Sequence, residues 1–146
     1  MAKFSKLAFN KGELNNQLSA FFADLLEKNA VDALLAPMAQ PKKGVMQTLV
    51  TSKQNVAGAD PFAPVVPVNG ARLASSLTSN PSGKKIGMVL RSCEVRALVE
   101  LVKLKQANLD DVVLIGLDCY GRYENTDFLK LRAAGATTED FLENAQ

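Results

Sequence analysis

The stretch KIGMVL, residues 85–90, then CEVRALVELVKLKQ, residues 93–106, then VVLIGL, residues 112–117, decides the fold. Each hexad is a short apolar run of the kind that forms a strand covered on both faces. The segment between them reads as an amphipathic helix, with valines and leucines toward a core and lysines toward solvent. A strand, a helix and a strand in that order make a βαβ unit, with parallel strands and a right-handed crossover. The prediction is an α/β fold: a small open sheet with a parallel βαβ unit and an additional hairpin, helices on the faces.

Working outward, Leu14, Leu18, Phe21, Phe22, Leu25 and Leu26 recur at helical spacing between Gly12 and Asn29, with Asn29 as the stop. VDALLAP, residues 31–37, reads as a buried strand ended by Pro37, and VMQTLVT, residues 45–51, as its hairpin partner across a turn carrying Pro41 and Gly44. Prolines exclude residues 54–68 from any strand or helix interior, so this segment is an ordered extended connection. Asn69 caps a short helix through Ser79, which NPSG at 80–83 breaks. The expected division is an α/β domain over residues 1–124 and a polar, weakly anchored tail over 125–146, with one short helix started by Thr137 or Thr138.

At 146 residues, 47% hydrophobic and 22% charged, the chain has the composition of one packed soluble domain. Seventeen basic residues against fifteen acidic ones leave a formal charge of +2, with no basic stripe, so nucleic acid is not an expected partner. No apolar run is long enough for a secretory leader or a membrane span, which makes the cytoplasm the expected compartment and a membrane an unexpected partner. The absence of histidine removes Ser-His-Asp and Cys-His catalysis and His-bearing zinc sites.

What remains is the placement of two cysteines. Cys93 follows the first βαβ strand at the start of the crossover helix, and Cys119 follows the second strand. If the strands are neighbours, both lie at the carboxyl edge of the sheet, where open α/β sheets bind ligands. Cys93 sits in the partial positive field of a helix start, with Arg91 before it and Arg96 after it. Taken alone, cysteines at strand ends read first as small buried hydrophobes, ahead of metal ligands. A 4Fe-4S cube also needs four thiolates, and this chain has two cysteines. Arg91, Ser92 and the free N–H groups of the helix start could meet a phosphate, although no standard phosphate loop is present. Singly, Ser92 reads as a plain N-cap and Arg91 as a solvated charge, while Tyr120, Tyr123 and Glu124 line either a pocket or a surface loop.

The run RSCEVRALVELVKLKQANLDDVVLIGLDCYGRYE, residues 91–124, resembles a segment of the coenzyme F-420 hydrogenase/dehydrogenase beta-subunit family. There a Cys-containing loop precedes RALVEL-K-KQ and a strand ends in DC. DPFAPVVPVNGARL, residues 60–73, fits the N-terminal region of the same proteins. The resemblance implies an electron-transfer subunit carrying FAD and 4Fe-4S clusters, with coenzyme F-420 as a substrate. It would work with other subunits of a hydrogenase, formate dehydrogenase or heterodisulfide-reductase-type complex. It implies cluster ligation by Cys93 and Cys119, and places Arg91, Ser92, Glu94, Arg96 and Asp118 as the cofactor-binding set, with no catalytic residue of the chain's own. Two departures stand out: Ser92 replaces a proline that many members have before the first cysteine, and members continue further and carry more cysteines. The resemblance thus implies a piece of a longer protein, or a short product, that borrows cluster ligands from elsewhere. Two other readings compete: a non-catalytic interaction or scaffold domain, and a thiol-disulfide switch built on the same two cysteines.

Overall fold

The computed structural model describes residues 10, 12–42, 44–80 and 82–144. The expected absence of a leader at the N-terminus concerns residues that lie largely outside this set, as do Lys43 of the hairpin turn and Pro81 of NPSG. In chain order the elements are α1 (Leu14–Glu27), β1 (Ala33–Gln40), β2 (Gly44–Val50), a 3-10 turn (Lys53–Val56), α2 (Gly70–Thr78), β3 (Ile86–Arg91), α3 (Ser92–Lys103), β4 (Val112–Leu117), α4 (Asn125–Ala133) and α5 (Thr138–Asn144).

The sheet order is β2-β1-β3-β4. β3 and β4 are parallel neighbours in register from Ile86↔Val112 to Arg91↔Leu117, so the βαβ unit forms as the apolar pattern requires. β1 pairs antiparallel with β2 from Leu34↔Val50 to Gln40↔Gly44, and parallel with β3 over Ala33–Leu35. The result is an open α/β sheet, three strands parallel and one hairpin strand antiparallel. Side chains alternate across it with the strand period of two. Leu34, Ala36, Met38 and Val89 pack with Phe22 of α1 on one face, while Leu35, Ile86, Met88 and Leu90 pack with Ala71, Ala74 and Leu98 of α2 and α3 on the other. All six residues of β3 are buried because helices cover both of its faces.

The helix boundaries follow local chemistry. Asn69 caps α2 by accepting the Ala71 N–H at 2.9 Å. Asn29, at φ 52°, takes the left-handed conformation that ends α1.

Three expectations change. Pro37 does not end its strand: it lies inside β1 opposite Gln47. A proline is tolerated there because its nitrogen, like its carbonyl, faces away from β2 toward Asp60, whose own carbonyl accepts the Ala63 N–H at 3.2 Å instead. The segment after β2 is more than a connection. Its Ala39–Gly58 and Asp60–Pro37 backbone bonds, 2.7 and 2.9 Å, carry the pairing of β1 on past its last pair with β3, and Ala59, Asp60, Pro61, Ala63, Pro64 and Val65 are buried. Over residues 125–144 there are two helices rather than one. Their Phe128 and Phe141 share a core with Val45, Ala63 and Val65. Thr138 presents its hydroxyl to both carboxylate oxygens of buried Asp60, at 2.9 and 2.8 Å. Glu139 accepts the Gly12 and Leu14 N–H groups, at 2.5 and 3.2 Å, and so serves as the N-terminal cap that α1 lacks in its own sequence.

Candidate functional site at the carboxyl edge of the sheet

Cys93 and Cys119 stand two residues beyond Arg91 and Leu117, the last paired residues of β3 and β4. They occupy equivalent places at one edge of the sheet, 26 residues apart in sequence. Both are free and exposed, which overturns the reading of the two thiols as buried hydrophobes. The Cys119 thiol lies 3.9 Å from the Gly121 carbonyl. Among the described residues there is no group of three or more Cys, Asp or Glu side chains placed to hold a metal ion.

The rest of the expected cofactor set divides in two. Ser92, Arg96 and Asp118 are exposed at this edge. Arg91 and Glu94 are buried, at 5% and 2% relative exposure, and face inward. Arg91 is therefore not a solvated charge: its Nη2 donates to the Ala63 carbonyl, and its Nη1 is buried without a protein partner. Glu94 Oε2 accepts the Arg91 N–H at 2.9 Å, and Oε1 accepts the Gly70 N–H at 2.7 Å. One carboxylate thus serves the first free donors of α3 and α2 together, the favourable placement of negative charge at a helix start. Ser92 is not the N-cap. The cap position belongs to Arg91, and Glu94 satisfies it. Glu94 reaches α2 only because residue 70 is glycine: a Cβ there would come within 2.6 Å of Leu90 Cδ2 and 2.9 Å of Glu94 Oε1. The clue in the sequence was Glu94 three residues after Arg91, which has the spacing of a capping box without its serine or threonine.

Beside Cys119 the structure adds a feature the sequence showed only in part. Tyr120 and Tyr123 line a cleft of about 240 Å³ together with Phe62, Pro64, Arg122 and Phe141. Phe62 pairs with Tyr120 at 6.2 Å between ring centroids, and Tyr123 with Phe141 at 5.1 Å. Phe62 and Phe141 are too far from the tyrosines in sequence for any local pattern to associate them.

An open, mostly parallel α/β sheet with two exposed thiols and an aromatic cleft at its carboxyl edge belongs to the class of folds that bind ligands outside the strand ends. No protein-family model matches the chain. Among curated proteins it is 34% identical over 116 residues to F420-dependent formate dehydrogenase 1 subunit beta of Methanococcus maripaludis, covering 76% of this chain and 28% of that protein. It is 29% identical over 122 residues to F420-dependent formate dehydrogenase subunit beta of Methanocaldococcus jannaschii, covering 83% of this chain and 31% of that one. A chain of the F420-reducing [NiFe] hydrogenase complex from Methanosarcina barkeri shares the fold, with a TM-score of 0.58 over 84% of this chain and 44% of its own, at 15% identity. By this kinship the chain belongs to the coenzyme F-420 hydrogenase/dehydrogenase beta-subunit family. It spans less than a third of the length of the curated relatives it matches.

Proposed function

We propose that the chain is part of an oxidoreductase subunit that passes electrons between a flavin or deazaflavin and the iron-sulfur centres of a hydrogenase or dehydrogenase complex in the cytoplasm. The carrying observation is that the two cysteines within the family-like segment 91–124 stand exposed at equivalent positions beyond neighbouring parallel strands. Partners would be the other subunits of such a complex, of the formate dehydrogenase or heterodisulfide-reductase type. A bound flavin, as FAD, supplies the redox chemistry, and the protein supplies position and electrostatics. The fit to a 4Fe-4S cube is half complete. The cube takes four thiolates and this sequence has two cysteines, so Cys93 and Cys119 would be two of its ligands and the others would come from outside the sequence. Ser92, Arg96 and Asp118 remain free at the edge for a cofactor's polar groups, whereas Arg91 and Glu94 hold the edge in shape from beneath.

The test is anaerobic purification of the protein with whatever subunits accompany it, followed by visible absorption and electron paramagnetic resonance. Flavin and cluster signals are expected, with the cluster signal lost or converted in Cys93→Ala and Cys119→Ala. A colourless preparation whose two thiols close reversibly to a disulfide would replace this reading with a thiol switch. The exposure and matched placement of both cysteines would also serve that alternative.

A further inference from the structure

β4 closes the sheet on one side, and its outer edge is unpaired among the described residues. The Ile86 N–H donates to the Asp111 carbonyl at 2.9 Å, and along a strand residues two apart turn their backbone groups the same way. Residues 113, 115 and 117 therefore serve β3, while Leu114 and Gly116 turn both N–H and carbonyl outward. Both are exposed. The devices that ordinarily protect such an edge are missing: Val112–Leu117 holds no proline and no charge, and its register with β3 runs through without a bulge.

Gly116 is a second, independent sign. Glycine weakens a strand interior unless a bend or a close approach calls for it. Gly87 of β3 has such a reason, since a Cβ there would come within 2.8 Å of Leu34 Cδ1. At Gly116 a Cβ would meet nothing within 4 Å, and φ lies outside the left-handed region that favours glycine. Nothing inside the fold requires this glycine, whereas a chain arriving from outside would.

We propose that β4 is a docking edge that takes an extended segment of a partner polypeptide as a further strand, a segment with apolar residues in alternation and a Lys or Arg at each end. The outward backbone groups of Leu114 and Gly116 supply the ladder bonds, and the bare face at Gly116 admits the incoming strand's side chain. The ends of β4 set the charge. Asp110 and Asp111 precede it and Asp118 follows it, all three exposed and none in an ion pair among the described residues. The same carboxylates disfavour a second copy of this chain. Antiparallel pairing centred on Leu114 would set Asp110 against the other copy's Asp118 twice, and parallel in-register pairing would set each carboxylate beside its own counterpart. Like charges directly opposite destabilise a strand pair.

The isotopically labelled 146-residue protein is titrated with the end-blocked nonapeptide Lys-Val-Thr-Val-Thr-Val-Thr-Val-Lys and, separately, with its Glu-ended counterpart. Amide hydrogen exchange is read residue by residue, and sedimentation gives the oligomeric state. A monomer is expected, in which the Lys-ended peptide slows exchange at Leu114 and Gly116 about tenfold and the Glu-ended peptide does not. Asp110→Lys/Asp118→Lys, changed only at exposed positions, should reverse that preference. Gly116→Val should weaken binding about tenfold, and since its side chain meets open space, circular dichroism and the thermal midpoint should show the fold retained. No slowing at Leu114 and Gly116, slowing that ignores the charge of the peptide ends, equal binding by Gly116→Val, or a dimer that protects these two amides overturns the proposal. Cluster and flavin signals are untouched by any of these outcomes, so the electron-transfer reading is tested separately.

Discussion

At the scale of single residues, Glu94 joins two helices through one carboxylate. It accepts the Arg91 and Gly70 N–H groups at 2.9 and 2.7 Å while 2% exposed, so water cannot replace it. Glu94→Ala strands two buried donors and should lower the unfolding free energy by about 2–5 kcal/mol, read from urea denaturation. Gly70→Ala brings a methyl within 2.6 Å of Leu90 and should cost about 1–3 kcal/mol through displacement of α2. Ser92→Ala, next to the same network, should change stability by less than about 0.5 kcal/mol, because Ser92 is exposed and caps nothing. A loss near 1 kcal/mol at Ser92 would return the capping role to it. The arginine here was misread from sequence for a physical reason: an isolated Arg on a turn is usually solvated, and its acceptor, the Ala63 carbonyl, lies 28 residues away.

At the scale of elements, the parts readable in the sequence were those whose signal is local. The βαβ unit announces itself by apolar runs and a helical period, and α2 by Asn69. Pro37 inside β1 was not readable, because the proline is permitted only by the segment at Asp60 that lies against it and spends its own carbonyl on Ala63, a tertiary fact. The helices over residues 125–144 were missed in part because α4 carries little amphipathic pattern; it is held instead by Phe128 against Val45, Ala63 and Val65. Polar contacts fix the same place, with the Arg132 guanidinium 3.9 Å from the Asp60 carboxylate and the Thr138 hydroxyl on Asp60. Phe128→Ala should therefore cost about 3–5 kcal/mol, as for a fully buried aromatic. Thr138→Val keeps the shape and removes the hydroxyl, leaving the Asp60 carboxylate buried with Arg132 3.9 Å away, and should cost about 1–3 kcal/mol. Hydrogen exchange should show the Thr138→Val loss concentrated in α5 and in the first turn of α1, which Glu139 of α5 caps. A loss confined to α5 would mean that this cap is dispensable.

At the scale of the whole molecule, stability is distributed as a gradient across the sheet. β3 lies between two strands and two helical layers with every residue buried, and β1 is flanked on both sides for part of its length. Of the two outer strands, β2 keeps Val45 and Val50 buried, whereas none of the residues of β4 is fully buried and Leu114 is 38% exposed. The cysteines sit at the boundary of the two regimes, Cys93 beyond the most enclosed strand and Cys119 beyond the least enclosed. Burial supplies the cohesion of the chain, so chelator treatment of the 146-residue protein should leave its thermal transition unchanged. In such a gradient the least enclosed strand opens first, at a free energy below that of global unfolding. Native-state hydrogen exchange of the isolated chain should find β3 amides exchanging only with global unfolding. On β4, the amides turned toward β3 should exchange through a lower-energy opening, and those turned outward should exchange fastest. The Cys119 loop, with Tyr120 and Tyr123, hangs from β4 and would share that opening. Equal slow exchange in β3 and β4 without ligand would show that the outer edge of β4 is covered in solution, and the gradient would have to be abandoned.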